Sequence, residues 1–462
     1  MFAAGYLEGI LTAKSMADAY RNVWPYFFKG FPEVEKKTKE FLNKQEKWIR
    51  KQISVASGFD EYWRHVQNIF AQYDGLQAGY QKVAETDKSL PNDYFVVQML
   101  NAAGDLIDIS HAVAPKTRID INKMKYEEFM EYVNGRGMCS ALIKLLPGFE
   151  NIFMSHSSWF TYSNSYRIYK HYDFNLSGKN VASKSLSFSS YPGYLESLDD
   201  FYIMQNGLVM LQTTNMVFNT TIYDKVSEKS LLAWHRVRLA NMLAHNGLEW
   251  SKMYAKYNSG TYNNQYMVID LNRIKLKTGV EDGALYVIEQ LPGIVKYADQ
   301  TDILRAGYWP SYNVPFYEDI YEKSGYSLAV KKFGINFSYQ LAPRAKIFRR
   351  DQGSVKTFDD MKRIMRYNNY KVDEYSDGNP CNTICCRGDL NAKKPESKGC
   401  YDTKITDYSS ALSRRSIAIS GPTLGTNLKP FSWTGIFEKE AHFGLPTTYN
   451  FDWVEMKPKL TV

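Results

Sequence analysis

Several features that assign a protein to a class at once are missing from this 462-residue sequence. It has no run of about 20 apolar residues, so we predict no membrane-spanning helix. Its first residues do not combine a basic segment with an apolar core, which is the pattern of a secretory signal. From this stretch alone we expect either a cytosolic protein or a sequence that begins downstream of its natural start.

Common catalytic motifs are absent too. There is no Gly-x-Ser-x-Gly elbow, no Walker phosphate loop, no His-Glu-x-x-His pair and no Gly-x-Gly-x-x-Gly turn. The enzyme classes that use these motifs therefore have no support. The basic residues are scattered in small groups, and none forms a nucleic-acid-binding motif. We predict no metal, no cofactor and no nucleic-acid partner.

Cysteine is scarce, with five residues in the chain. One stands alone at Cys139, and four lie in one short segment, at Cys381, Cys385, Cys386 and Cys400. The spacing of these four does not match a standard zinc site. It is consistent with two disulfides in any of three pairings, which leaves the lone cysteine as the candidate reactive thiol. We predict that the turn-rich segment 370–400 is a disulfide-linked surface loop.

The composition is that of a globular protein, with 44% hydrophobic and 23% charged residues. The formal net charge of +8 favours contact with anionic surfaces such as phospholipid headgroups, although a solvated basic surface is the more common explanation. Asn175, Asn219 and Asn336 each begin an Asn-x-Ser/Thr sequon. They are candidate glycosylation sites and favour the secretory route.

Apolar residues at helical spacing predict helices over residues 33–53, 59–73 and 94–109, with the second helix ending at Asp74-Gly75. After Cys139 the pattern changes to short β-type runs bounded by turn residues. These predict strands at 139–146, 151–162, 166–174, 186–191, 201–212 and 266–271. One helix is predicted between them at 230–257. Helices followed by stacked strands indicate a layered α+β fold.

The stretch Asn134-Gly-Arg-Gly-Met-Cys139 carries the most distinctive chemistry. Gly135 and Gly137 permit a strained turn just before a cysteine that opens a strand. A thiol held against the preceding carbonyl can attack it, and hydrolysis then makes Cys139 a new N-terminus. Its α-amine, with an ordinary pKa of about 7.7–8.0, can serve as the base for its own thiol. Core packing is the more ordinary role of a lone cysteine.

Other polar clusters follow. His156 lies in the next predicted strand, where it would tune a thiol or orient a carbonyl, although a structural histidine is the commoner case. Asp199-Asp200 opens a later strand, and we predict a solvated turn for this pair. Asn263 and Asn264 could donate to an oxyanion, although such asparagine-rich loops are mostly turns.

Together these stretches resemble the phospholipase B-like family. The matching segments occur in family order over nearly the whole chain. They are Ala4-Gly-Tyr-Leu-Glu-Gly9, Cys139-Ser-Ala-Leu-Ile-Lys144, His156-Ser-Ser-Trp159, Ser190-Tyr-Pro-Gly193, Asp199-Asp-Phe-Tyr202, Asn258-Ser-Gly-Thr-Tyr-Asn-Asn-Gln265, Pro343-Arg-Ala-Lys-Ile-Phe-Arg-Arg350, Met365-Arg-Tyr-Asn368 and Arg387-Gly-Asp-Leu-Asn391.

The resemblance implies a four-layer αββα fold of the N-terminal-nucleophile (Ntn) hydrolase type. It implies a precursor cut between Met138 and Cys139, so that residues 1–138 form a mostly helical chain and 139–462 the catalytic chain of one integrated body. Carried over residue by residue, the nucleophile is Cys139 with its freed amine as base. The other implied site residues are His156, Trp159, Thr214, Asn263 or Asn264 as oxyanion donor, and Arg344.

The family frame implies a secreted or lysosomal enzyme that releases fatty acids from phospholipids, with transient contact to a membrane surface. Two alternatives stay open: an Ntn amidase acting on N-acyl amides or peptides, and a catalytically lapsed lipid-binding relative. Family members normally have a signal peptide and a leading segment before the Gly-Tyr-Leu-Glu-Gly stretch, which here begins at Gly5. We therefore expect either a truncated N-terminus or a compromised copy.

Overall fold

The computed structural model describes residues 1–134, 137–178, 180–425 and 427–458. The α-helices, in chain order, are α1 Phe2–Phe28, α2 Pro32–Ala56, α3 Glu61–Thr86, α4 Phe95–Ala102, α5 Leu106–Val113, α6 Tyr126–Asn134, α7 Ala233–Leu243, α8 Gly247–Tyr254, α9 Thr301–Arg305, α10 Glu318–Ser324, α11 Tyr326–Phe333, α12 Pro343–Asp351, α13 Phe358–Met365 and α14 Tyr408–Leu412.

The β-strands alternate with the later helices. They are β1 Met138–Leu145, β2 Ile152–Thr161, β3 Ile168–Asp173, β4 Ser185–Ser190, β5 Tyr202–Met204, β6 Leu208–Thr214, β7 Asn264–Asp270, β8 Ile274–Lys275, β9 Gly279–Val280, β10 Leu285–Leu291, β11 Ile294–Asp299, β12 Tyr308–Ser311, β13 Lys398–Cys400, β14 Asp402–Asp407, β15 Ser416–Ser420 and β16 Val454–Met456.

Two antiparallel sheets form the centre of the molecule. The first has the strand order β12-β1-β2-β14-β15-β16, with β13 also paired to β2, and the second has the order β11-β10-β7-β6-β5-β4-β3. Their inner faces pack against each other through apolar side chains such as Ile143 and Met154 on the first sheet and Leu211 and Met267 on the second. This burial of two apolar faces is what holds stacked sheets together.

Helices cover the outer faces of both sheets. On the first sheet, Leu142 and Phe153 pack against α6, α11, α12 and α13. On the second sheet, Phe188 and Tyr266 pack against α7 and α8. The order of layers is therefore helix, sheet, sheet, helix, and the predicted four-layer αββα sandwich is confirmed. No helix in the described part of the chain is long and apolar enough to cross a membrane.

The helices α1 to α5 occupy the described N-terminal part of the chain and share one apolar cluster with α7. The first strand begins only at Met138. The described residues before Met138 are thus mostly helical, while the division of the chain into two segments by a cut stays a prediction. Gly135, on which part of the strained-turn argument rests, lies outside the described residues.

The predicted end of the second helix at Asp74-Gly75 is wrong, because α3 continues to Thr86. The glycine serves helix packing instead of ending the helix. A Cβ atom on Gly75 would lie 2.0 Å from the carbonyl oxygen of Phe2, and one on Gly5 would lie 1.9 Å from that of Gln72. The glycines thus let the backbones of α1 and α3 approach closely.

We expect Gly5→Ala to lower the free energy of unfolding by about 1–3 kcal/mol, because the added methyl group overlaps backbone atoms that cannot move aside without shifting a helix. Gly58→Ala is the matched control, since a Cβ there meets nothing within 4 Å. Denaturant unfolding of both variants checks this. Equal midpoints for the two would contradict the packing argument.

Three other predicted elements are divided in the structure. The helix predicted at 94–109 is α4 and α5, separated near Gly104, where a Cβ atom would lie 2.6 Å from the ring of Tyr262. The helix predicted at 230–257 is α7 and α8. It divides because the side chain of Asn246 accepts from the N–H of Glu249 at 2.9 Å and starts a new helix. The strand predicted at 201–212 is the hairpin of β5 and β6.

Candidate active site

Cys139 lies at the start of β1, where the antiparallel register pairs it with Ser158 on β2. It is a free cysteine, 6% exposed. Its side chain lines a cavity of about 770 Å³, which we call the thiol cavity. The walls come from both sheets and from the N-terminal helices, whose contributions include Val23 and Ile107. The fold thus places the lone thiol in a mostly apolar space that is partly open to solvent.

The backbone of Cys139 is held on both sides. Its N–H donates to Oδ1 of Asn313 at 3.1 Å, and its carbonyl oxygen accepts from the Arg344 guanidinium at 2.5 Å. Arg344 also donates to Oδ1 of Asn313 at 2.8 Å, and its Cζ lies 4.5 Å from the ring centre of Trp159. These contacts fix the orientation of the Met138–Cys139 peptide unit.

A second cavity, of about 1200 Å³ with its open mouth included, is lined by Met138 but not by Cys139 and is called here the outer cavity. Met138, Trp159 and Phe160 line both cavities. Arg344 and Asn313 line only the outer one. The bond predicted to be cut therefore lies in the wall between the two spaces.

A buried network of charges lies beside the thiol, between the two sheets. Nζ of Lys404 is 2.6 Å from Asp199 and 2.9 Å from Asp402, and it donates to Oγ of Ser158 at 2.7 Å. Arg167 pairs with the same two carboxylates at 2.9 and 3.0 Å. Two cations and two anions make the network neutral overall, which is the condition for burying charge at tolerable cost.

This network sets the ionisation of the aspartates. Burial alone would raise the pKa of Asp199, but the attraction of Arg167 and Lys404 outweighs it and holds the pKa below the usual range. Lys404 and Arg167 also lower the pKa of Asp402 against the effect of burial. Both carboxylates therefore stay ionised through the acidic range where ordinary carboxyls take up protons.

The Cys139 thiol behaves in the opposite way. Burial raises its pKa to about 12, and the nearby charge of Lys404 offsets only part of this shift. At neutral pH only about one molecule in 10⁵ would carry a thiolate. In the intact chain the thiol therefore needs a base within reach before it becomes an efficient nucleophile.

His156 does not supply that base. Its side chain is fully buried behind Ser158, and Nδ1 lies 3.1 Å from Nζ of Lys404. Burial, followed by the charge of Lys404, lowers the pKa of His156 to about 3, so its ring is neutral. It is not among the residues that line either cavity. The structure thus places His156 against the charge network, and its predicted role at the thiol stays a prediction.

The side-chain amides of Asn263 and Asn264, the predicted oxyanion donors, already make hydrogen bonds. Nδ2 of Asn263 donates to Asp108 at 3.1 Å, and Nδ2 of Asn264 donates to the hydroxyl of Tyr266 at 2.9 Å. Thr214 pairs with Asn264 across β6 and β7 and lines the thiol cavity, as Trp159 does. Nε1 of Trp159 is buried and has no hydrogen-bond partner among the described residues.

The solvated turn predicted for Asp199-Asp200 is wrong. The two residues are 3% and 1% exposed, because they lie between the sheets where Arg167 and Lys404 neutralise the first carboxylate. Sequence reasoning also missed Asn313 and Lys404. No local pattern marks either residue, since each reaches the site from a strand or loop far along the chain.

The four clustered cysteines form two disulfides, Cys381–Cys386 and Cys385–Cys400. This selects one of the three possible pairings. The second bridge holds β13, whose Cys400 pairs with Trp159 on β2. The bridges pack against the indole of Trp159 and line the outer cavity. The predicted disulfide-linked loop therefore supports the wall of the site.

We expect Cys385→Ala/Cys400→Ala to lose about 3 kcal/mol of unfolding free energy, because this bridge closes a loop of 15 residues. The matched control is Cys381→Ala/Cys386→Ala, which opens a loop of 5 and should cost about 2 kcal/mol. Unfolding in denaturant without reductant measures both. If the short loop proved the more important, the loop-length argument would be wrong.

The three sequon asparagines, Asn175, Asn219 and Asn336, are exposed. Asn336 also lines the outer cavity, so a glycan there would stand at its mouth. The amide of Asn219 already donates to the carbonyl oxygen of Lys323 at 3.2 Å. Exposure makes all three accessible to modification, and their glycosylation stays a prediction.

Comparison with known proteins identifies the family of this chain. The sequence profile of the Phospholipase B family matches residues 1–456. The chain is 54% identical over 461 residues to Phospholipase B-like 1 of Rattus norvegicus, covering 100% of this chain and 82% of that protein. It is 53% identical over 460 residues to Phospholipase B-like 1 of Homo sapiens, covering 100% and 81%. It is 51% identical over 460 residues to Phospholipase B of Crotalus adamanteus, covering 100% and 83%.

The chain therefore belongs to the Phospholipase B family. Membership confirms the resemblance found in the sequence and supports a hydrolase. Among solved structures, a mutant conjugated bile acid hydrolase from Clostridium perfringens is similar at a TM-score of 0.35 and 10% identity. That match covers 68% of this chain and 97% of the other, and a similarity this low carries no argument.

Proposed function

We propose that this protein is a cysteine acyl hydrolase of the N-terminal-nucleophile type, with Cys139 as its nucleophile. The observation that carries the proposal is the position of the free thiol. It lines a mostly apolar cavity while its own backbone N–H and C=O are held by Asn313 and Arg344. A nucleophile fixed in this way loses little orientational freedom when it attacks.

Maturation is the first step. The thiol sulfur attacks the carbonyl carbon of Met138, and the acyl group shifts from the Cys139 nitrogen to the sulfur. The nitrogen takes up the thiol proton and becomes a free amine. Water then hydrolyses the thioester, which leaves a carboxylate on Met138 and regenerates the thiol. Arg344 and Asn313 would hold the new N-terminal residue in place by the contacts that they make in the intact chain.

The freed amine explains why cleavage would switch the enzyme on. In the intact chain burial keeps the thiol protonated, since its pKa is raised to about 12. An α-amine on the same residue, with an ordinary pKa of about 7.7–8.0, can take the thiol proton at working pH. His156, whose pKa is lowered to about 3, is a poor alternative. We therefore assign His156 to positioning Lys404 and the base role to the amine.

Catalysis then proceeds in two acyl transfers. The thiolate attacks the substrate carbonyl, and the tetrahedral intermediate collapses as the amine returns the proton to the leaving group. Water releases the fatty acid from the acyl-thioester. The indole Nε1 of Trp159, which has no partner among the described residues, would be the donor to the developing oxyanion. Asn263 already uses both side-chain N–H groups, on Asp108 and the carbonyl oxygen of Gly260, and Asn264 uses one on Tyr266.

The substrates proposed are phospholipids or other acylated small molecules, as the family name and the apolar walls of the thiol cavity suggest. We infer a secreted or lysosomal protein, because two disulfides favour an oxidising compartment. Contact with a membrane surface would be transient, and the net charge of +8 favours anionic lipids.

The experiment that tests the proposal is the identification of the N-terminal residue of the larger chain in active protein. We expect Cys139 there, with Met138 ending the smaller chain. The same preparation should release fatty acid from a phospholipid ester or an acyl amide. Active protein in which the Met138–Cys139 bond is intact would refute the mechanism, and mature protein that cleaves neither substrate would refute the activity.

A further inference from the structure

Asn215 follows β6 directly and lines the thiol cavity together with Cys139. It is 3% exposed. Its Nδ2 donates to Oε1 of Glu289 at 3.2 Å, whereas its Oδ1 is buried and has no hydrogen-bond partner within the described part of the chain. Nearly all buried polar atoms in native proteins are paired, so an unpaired carbonyl oxygen in a cavity wall points to a ligand.

The orientation of this amide is dictated by its neighbours. The indole N–H of Trp309 can only donate, and it faces Oε1 of Gln265 at 3.3 Å. Nε2 of Gln265 therefore donates to Oε1 of Glu289 at 2.7 Å. The backbone N–H of Phe316 donates to the same carboxylate oxygen at 2.8 Å. Every group around this oxygen is thus a donor.

The hydrogen bonds of Glu289 fix the orientation of the Asn215 amide. Its Oε1 accepts from three N–H groups, and its Oε2 accepts from the N–H of Tyr317 at 3.0 Å. A proton taken up by Glu289 would go to Oε2, where a lone pair is free, and the side facing Asn215 would not change. Asn215 must therefore present Nδ2 to Glu289, which leaves Oδ1 as the buried, unpaired atom of a residue that lines the cavity.

We propose that Asn215 recognises a hydrogen-bond donor on the substrate, so that the site selects acyl compounds with an N–H or O–H group beside the scissile carbonyl. This inference rests on the proposed function, because it assumes that the acyl group reaches Cys139 in the same cavity. An N-acyl amide carries such an N–H, and a lysophospholipid carries a free hydroxyl. A diacyl phosphatidylcholine has no such donor beside either ester.

The test is a binding measurement on full-length Cys139→Ala protein, which keeps the intact-chain arrangement described here. One probe pair is N-propyl dodecanamide and its N-methylated analogue, which has lost the N–H. The other is 1-dodecanoyl lysophosphatidylcholine and its 2-deoxy analogue, which has lost the hydroxyl. In at least one pair we expect the donor-bearing member to bind about 10- to 100-fold more tightly by calorimetry, and the pair that discriminates identifies the donor.

Asn215→Leu in the same background should reduce that ratio to about one, because leucine has a similar shape and no acceptor. Glu289→Gln should also lower the ratio, since it removes the carboxylate that fixes the amide, while binding of the donor-free member changes little. Equal binding within both pairs by the Cys139→Ala protein would overturn the proposal whether or not these variants fold. So would an unchanged ratio in folded Asn215→Leu.

Hydrolysis by the mature unmodified protein is assayed on the same four compounds. If the binding preference is present but none of them is cleaved, the proposed function fails and the recognition by Asn215 stands. If they are cleaved without regard to the donor and bound without preference, the recognition fails and the proposed function stands. The two ideas are therefore tested separately.

Discussion

Cys139→Ala is expected to yield a single uncut chain that has no measurable hydrolase activity. Alanine removes the sulfur that would attack the Met138 carbonyl, so the chain is not cut, and it removes the nucleophile that would carry the acyl group. Loss of a nucleophile in an enzyme of this kind lowers kcat by at least about 10⁴-fold. Denaturing gel electrophoresis and fatty-acid release measure the two effects.

The fold of this variant should be retained, because the side chain is small and alanine fills most of its volume. A drop of more than a few degrees in Tm would mean that Cys139 is mainly a core residue, which is its more common role from sequence alone. Cys139→Ser is the matched control. Its hydroxyl occupies the same place, and slow, partial cutting is expected because an alcohol is a weaker nucleophile than a thiol.

A Cys139→Ala chain that is cut at the same bond would show that another protease makes the cut. In that case the assignment of the nucleophile rests on activity alone. A Cys139→Ala protein that is both cut and active contradicts the whole assignment.

Much of the fold could be predicted from the sequence because its signals are local. The stripe of apolar residues in α2 and the turn-bounded β-type runs at β1 and β2 depend only on nearby residues. Element ends were less predictable. Asp74-Gly75 has the composition of a helix stop, and only the approach of α1 to α3 shows why the glycine is there. A single sequence contains no record of that contact.

Part of the candidate site could likewise be predicted from the sequence, and part of it could not. Cys139 could be singled out because it is the lone cysteine outside the cluster, next to glycines. The charge network could not, because Arg167, Asp199, Asp402 and Lys404 meet only when two sheets are stacked. For the same reason the predicted solvated turn at Asp199 failed. An acidic pair after a serine-rich stretch has the composition of a surface turn, and its buried cations lie far along the chain.

The network also has consequences for stability. Lys404, Asp199 and Asp402 are each at most 3% exposed, so none of these charges is solvated by bulk water. Removing one partner of a buried ion pair leaves the other charge uncompensated, which costs more than the pair itself contributes. Lys404 is the most sensitive position, since its ammonium group contacts both carboxylates, Ser158 and His156.

Lys404→Met is therefore expected to lower the free energy of unfolding at pH 7 by about 3–5 kcal/mol. Methionine keeps the length of the side chain, so the loss reports charge more than volume. Restoring neutrality in Lys404→Met/Asp402→Asn should recover part of this loss. Lys275→Met is the surface control, because Lys275 pairs with Glu281 in solvent, and its unfolding midpoint should not change.

The pH dependence gives the sign of the effect. In the unmodified protein the pKa values of Asp199 and Asp402 are lowered. Their contribution to stability is therefore fully present above the ordinary carboxyl pKa of about 3.9. It is lost as the pH falls through the lowered pKa values of the folded state. In Lys404→Met at least one of these pKa values rises, so protonation relieves the unpaired charge as the pH falls. The stability difference between the two proteins should therefore be largest near pH 7 and shrink toward pH 4. A difference that is constant from pH 7 to pH 4 would mean that Lys404 acts by packing instead of by charge.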